Sequence, residues 1–171
     1  VGLIVRYDED SEGWLDELGR DWSPVVRFEL PDYDVFALDA DASAGAVSVS
    51  REIAGVGTIL FNMAVLSARG RVFVTNTGAR NGVRFEGPGT FVRDNELKPD
   101  GVPASVRGHL HEARVTVIDG TTAAPHHLNP HIPYETMPMP ADVAPRSFAM
   151  PMGAAFSPAG DTLYVAACGS S

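Results

Sequence analysis

Apolar residues in this chain come in short runs broken by glycine, proline and acidic residues, a pattern that predicts strands rather than helices. Residues 2–7 (G-L-I-V-R-Y) are β-forming and stop at Asp8-Glu9-Asp10. Trp14 to Leu18 has the spacing of one helical turn closed by Gly19, too short to hold by itself. An extended piece, 25–30, lies between Pro24 and Pro31, and residues 34–39 (D-V-F-A-L-D) form the next strand. Residues 44–53 alternate with a period of two, and Gly55 and Gly57 separate them from an apolar strand at 58–66. A tight polar turn at 67–70 leads into V-F-V-T-N at 72–76. A long polar connection, Thr77 to about Glu112, precedes A-R-V-T-V-I-D at 113–119. Residues 121–151 hold seven of the thirteen prolines, which opposes both helix and interior strand.

Two figures recur. The hairpin at 64–76 returns at 155–167, with Val65 falling on Phe156, Ser67 on Pro158, Val72 on Leu163 and Phe73 on Tyr164 without a gap. The strand V-F-A-L-D at 35–39 returns as V-T-V-I-D at 115–119. The order is strand, Asp-ended strand, hairpin, Asp-ended strand, hairpin, as in four-stranded antiparallel blades whose hairpin supplies the second and third strands. The expected fold is therefore all-β: a partial β-propeller of about two four-stranded antiparallel blades with long inter-strand loops. Its expected parts are a blade remnant at 1–42, a blade at 43–120 and the start of the next at 121–171. The copies lie 91 and 80 residues apart, roughly double a minimal blade of about 40, and long loops account for the excess. Both ends of the chain read as strands, so the expectation is a piece of a longer propeller whose open strand edges associate. A small self-contained β-sandwich is the alternative.

Composition narrows this further. An apolar fraction of 44% with 20% charged residues is that of a soluble globular protein, and 17 Gly with 13 Pro fit many turns. A formal charge of -9 argues against a nucleic-acid partner, since phosphate rewards a basic surface. No apolar run approaches the roughly 20 residues of a membrane helix. Cys168 is the only cysteine, so an internal disulfide and a C-x-x-C-H haem attachment are both excluded within these residues.

Val72-Phe73-Val74-Thr75-Asn76 resembles the signature of the YVTN family of β-propeller repeats. Residues 154–165 (A-A-F-S-P-A-G-D-T-L-Y-V) are similar to that family's lead-in, and Val115 to Asp119 to its outer strand. The second copy departs from the motif, with Ala166-Ala167 where Thr-Asn stands in the first. The long insertions resemble those of bacterial proteins in which such a propeller is joined to a c-type haem domain. The resemblance implies a periplasmic or extracellular scaffold that binds a protein or a joined haem domain. Haem c would then belong to a further domain, with no cofactor in this segment. It also implies an alternative, a lactonase-like hydrolase or an oxidoreductase with a metal at the central channel, for which Asn62 and Asn76 are the suggestive residues.

Candidate chemistry concentrates after Asn76. The connection carries Arg80, Asn81, Arg84, Glu86 and Arg107 and ends at Arg114, and arginine forks suit carboxylates of an acidic partner or of haem propionates. Asn76 joins this set as a ligand- or partner-binding candidate. The bland counterpart is that Arg84 with Glu86, and Glu112 with Arg114, are ion pairs. His109, His111 and Glu112 are metal candidates, since an i, i+2 pair on a strand points one way. His126, His127 and His131 form a second group, expected at the opposite end of the sheet. Asp39 and Asp119 are expected to cap turns, Asp8, Glu9, Asp10 and Glu12 to form a solvated acidic loop, and Trp14 and Trp22 to pack. No nucleophile elbow or phosphate-binding glycine loop is present.

Overall fold

The structure is a computed structural model that describes residues 5–8, 10–16, 18–27, 33–40, 45, 47–79, 109–134, 136 and 139–169. Among these the protein is all-β. Among the described residues ten strands occur, and the helical elements are three one-turn 3-10 segments. They are β1 (Val5–Asp8), β2 (Gly13–Asp16), β3 (Val35–Asp39), β4 (Ser48–Ile53), β5 (Ile59–Leu66), β6 (Arg71–Ala79), β7 (His111–Asp119), β8 (Thr122–His127), β9 (Pro151–Phe156) and β10 (Leu163–Ala167). All pairings are antiparallel: β1 with β2, β3 with β4, β9 with β10, and a four-stranded meander β5-β6-β7-β8. The chain divides into two compact units, one carrying β1 and β2 and the other β3 to β10.

In the first unit, the helical turn expected at Trp14 to Leu18 is instead strand β2, which pairs Leu15 with Arg6 and Trp14 with Tyr7. The Tyr7 and Trp14 rings meet edge to face at 5.6 Å. A strand prevails because the loop that follows is organised by one carboxylate. Asp16, with its side chain fully buried, accepts hydrogen bonds from Leu18 N, Arg20 N, Arg20 Nε at 2.7 Å and Trp22 Nε1 at 3.1 Å. Gly19 takes the left-handed conformation the reversal needs, at φ 72°.

The second unit is built around β6, whose central residues are buried on both faces. The alternation of strand side chains puts Val72, Val74, Asn76 and Gly78 on one face with Ile118, Thr116, Arg114 and Glu112 of β7. There Val74 and Ile118 form a core with Ile53 and Val56, and Val35, Leu60, Val72 and Ala123 close round it. On the other face Phe73 meets Phe156 of β9 edge to face, with ring centroids 5.0 Å apart. The apolar run Val72-Phe73-Val74 in β6 thus suits a strand covered on both faces.

The repeated hairpin seen in the sequence is reproduced residue by residue in the pairing. Val65 pairs with Val72 as Phe156 pairs with Leu163, Ala64 with Phe73 as Ala155 with Tyr164, and Met63 with Val74 as Ala154 with Val165. The β-bulge also recurs, with Phe61 as the extra residue in β5 and Met152 in β9.

Two pairings cross the boundaries expected at 42/43 and 120/121. β4 pairs with β3, and β8 adds to β7 as the fourth strand of the meander. The second follows from Asp119-Gly120: Gly120, at φ 65°, starts a two-residue turn that pairs Asp119 with Thr122. Pro125 is tolerated because β8 is an edge. Among the described residues no sheet closes on itself.

Asp16 supplies a pH dependence whose sign is fixed. Its burial by itself raises the pKa, but the donors from Arg20, Trp22 and Leu18 outweigh that and hold the carboxyl well below its ordinary 3.8. The stability it contributes is complete above 3.8 and is lost as pH falls toward the lower folded value. Both tryptophans report on this unit. Asp16→Asn should shift the tryptophan-fluorescence unfolding transition to lower denaturant at neutral pH. It should also flatten the decline in stability that the native protein shows below pH 3.8.

Candidate functional site

The residues singled out around Asn76 sit at one end of the central sheet, where β6 stops and β7 begins. Ala79 and His111 are directly paired, so the segment 80–110 leaves and re-enters the sheet at adjacent positions. Arg80, Asn81, Arg84, Glu86 and Arg107 lie in that segment, outside the described residues. Asn76, Arg114 and Glu112 are brought together on one sheet face. Asn76 is paired with Arg114, and Gly78 with Glu112.

Asn76 has no exposed surface. Its Nδ2 donates to Val74 O at 2.9 Å and to Thr116 Oγ1 at 2.9 Å, and Thr116 in turn donates to Val56 O at 2.7 Å. This network fixes the amide orientation, because Thr116 has already committed its only proton and Val74 O can only accept. Val56 N, at 2.7 Å, and Gly57 N, at 3.4 Å, donate to the Asp34 carboxylate, which holds the same turn from the other side. A side chain on Gly57 would run into the Asn76 amide, so glycine is required there by close approach. Thr75 has a separate task. Its hydroxyl accepts from Asn62 N at 3.1 Å and donates to Asn62 O at 3.3 Å, filling the gap in the ladder left by the bulge at Phe61. The Thr-Asn pair is therefore structural: Thr75 repairs the bulge and Asn76 fastens the 54–58 turn to the sheet. Asn62, with its backbone engaged in this way, lies on the edge strand and does not join Asn76.

Arg114 lies over Gly78, occupying the space a Cβ would fill, and its Nε is 3.3 Å from Glu112 Oε2. The two side chains are about four-fifths buried, and the ion pair expected from their spacing forms. His127 of β8 is paired with Arg114 and extends the polar row to His127, Arg114 and Asn76 across three strands. His126 and His127 thus lie at the same end of the sheet as Glu112, not at the opposite end as expected. The Asp119-Gly120 turn reverses the chain and carries them back.

The metal candidates do not converge as a set. β7 begins at His111, so His109 precedes the strand, with its ring stacked on Tyr134 at 3.5 Å and 3°. Alternation sends His111 and Glu112 to opposite faces. His131 Nε2 lies 3.3 Å from the Ser147 hydroxyl, which donates to Val143 O. Among the described residues no group of three or more His, Cys, Asp or Glu is placed to hold a metal ion. Of the two turn aspartates, Asp119 is bound by the Arg71 guanidinium at 2.8 Å across the strand pair. Sequence reading passed over Thr116, Gly57 and Gly78. The available signals were a lone polar residue inside V-T-V and glycines flanking an apolar strand.

Compared with family models, with curated proteins and with solved structures, the chain finds no match in any of the three.

The contact between Gly57 and Asn76 can be tested by a double-mutant cycle. Gly57→Ala should destabilise the protein by about 1–3 kcal/mol through overpacking. Asn76→Ala should cost a similar amount, by leaving Thr116 and Val74 without their donor. In the Asn76→Ala background the added cost of Gly57→Ala should fall clearly but not vanish, because the Cβ at position 76 stays 3.0 Å from the new methyl, measured by denaturant unfolding followed by far-UV circular dichroism.

Proposed function

We propose that this chain is a non-catalytic β-propeller scaffold of the YVTN type, whose long connection between β6 and β7 binds an acidic protein surface or a joined haem c domain. The observation that carries the reading is the placement of the segment 80–110. It emerges from paired residues at the end of a sheet buried on both faces, so a rigid frame presents a long polar connection. Its composition is distinctive as well. The segment holds five of the thirteen basic residues but only four of the twenty-two acidic ones, in a chain of net charge -9. Arg114, clamped by Glu112 at the mouth, adds a positioned guanidinium.

Support for the propeller comes from the meander β5-β6-β7-β8, the double coverage of β6 and the second hairpin, which repeats the register of the first, bulge included. A periplasmic or extracellular setting and a bacterial source follow only from the family resemblance. The remaining blades, in this reading, belong to the same polypeptide. No observation on these residues favours the lactonase-like alternative.

Because Ala79 and His111 are paired, a two-residue Asn-Gly turn can replace the segment 80–110 without breaking the ladder. That variant should keep the far-UV spectrum of the parent and lose binding to an acidic c-type cytochrome, measured by calorimetry at low salt. Binding by the parent should weaken as salt rises. Undiminished binding by the variant, or no binding by the parent, rules the reading out.

A further inference from the structure

The two copies of the hairpin differ in chemistry beside the bulge. In the first copy Ile59 pairs with Thr77, Phe61 is the extra residue, and the Thr75 hydroxyl fills the gap in the ladder. The same positions of the second copy, 91 residues on, are Met150, Cys168, Met152 and Ala166. Ala166 has no hydroxyl to offer, and the other three residues all carry sulfur. The whole chain has six such residues, five Met and one Cys. Half of them fall at this bulge, which the first copy builds without sulfur.

The backbone sets the three side chains on one side of the hairpin. Cys168 N donates to Met150 O at 3.0 Å, so these two residues face each other one step beyond the Ala167–Pro151 pair. Pro151 is fully buried, whereas its neighbours Met150 and Met152 are 46% and 47% exposed, and Cys168 is exposed as well. The Pro151–Ala167 pair therefore points inward and the Met150–Cys168 pair outward. Met150 holds this place at φ 50°. Met152, the extra residue, joins them on the outward side. The next outward pair is Gly153 with Ala166, and neither has a side chain larger than a methyl group.

We propose that Met150, Met152 and Cys168 form a site for one soft monovalent metal ion of the Cu(I) class. Thiolate and thioether sulfur select such ions over harder divalent ones. Directly opposed residues of an antiparallel pair have Cβ atoms about 4.5–5.5 Å apart. Three sulfurs round one ion, each at about 2.3 Å, stand roughly 4 Å from one another. A cysteine and two flexible methionines on this surface can meet that span. The thiol releases its proton to solvent as the ion binds, which leaves a neutral thiolate–cation centre with two thioether donors. The ion ties β9 to β10 at the bulge, as the Thr75 hydroxyl ties β5 to β6 in the first copy. The site does not depend on what the segment 80–110 binds.

The test is a titration of the whole chain with Cu(I), kept reduced in the absence of oxygen and competed from its bicinchoninate complex. The native chain should take up one equivalent and should unfold at higher denaturant when loaded. Cys168→Ser should weaken uptake at least about a hundredfold, and Met150→Leu with Met152→Leu at least about tenfold. Leucine conserves the volume of methionine, so the second variant keeps whatever packing these side chains provide, and its far-UV circular dichroism should match the parent. Met63→Leu with Met139→Leu should leave uptake unchanged. A native chain that takes up no Cu(I), or half an equivalent through the thiols of two copies, overturns the proposal. Uptake that survives replacement of Met150 and Met152, or that falls equally on replacement of Met63 and Met139, overturns it too.

Discussion

The amide of Asn76 is the joint on which the larger unit depends. A buried amide is costly unless its groups are satisfied, and since Asn76 Oδ1 has no hydrogen-bond partner among the described residues, the joint rests on the donor side alone. Here its donor side is spent on Val74 O of its own strand and on Thr116 of the neighbouring one. Thr116 passes the connection on to Val56 O, and Asp34 holds the same turn through Val56 N. The consequence reaches beyond the polar atoms. Val56 lies in the apolar core with Ile53, Val74 and Ile118 only because the turn that bears it is held against the sheet. The polar network thus fixes where the apolar one can form.

The two faces of β6 are secured by different physics. One is locked by hydrogen bonds with fixed donor and acceptor roles, and it tolerates little change in shape because Gly57 leaves no slack. The other rests on ring packing between Phe73 and Phe156, which is less directional. A strand held in both ways is a stable place from which to extend a long polar connection. Arg114, lying along Gly78 and paired with Glu112, transmits that rigidity to the point where the connection begins.

Much of this was legible in the sequence where a local signal and a global role agreed. The hairpin at 64–76 and its copy were readable because an apolar strand, a polar turn and a second apolar strand specify one another, and their registers match down to the bulge. The Glu112–Arg114 pair was readable from spacing. Other features failed for physical reasons. The pattern at Trp14 to Leu18 looks helical, but the donors converging on Asp16 favour a strand and a tight loop. The proline-rich stretch was expected to avoid interior strands. β8 complies by standing at an edge, and the turn after Asp119, where a turn-capping aspartate was expected, is tight enough to place it there. The role of Asn76 was hidden because its partners, Thr116 and the Val56 turn, are 40 and about 20 residues away.

The pairing of Ala79 with His111 also bears on how such a chain can change over generations. Once the ladder holds both ends of a connection together, lengthening it adds only a slowly growing entropy, about 0.6 kcal/mol for each doubling. Insertions and deletions between these two residues are therefore nearly neutral for the frame. Lineages carrying this sheet can exchange what lies between Ala79 and His111 while the sheet itself stays unchanged. Sequence divergence should then be steepest in that interval and should stop abruptly at its two boundary residues.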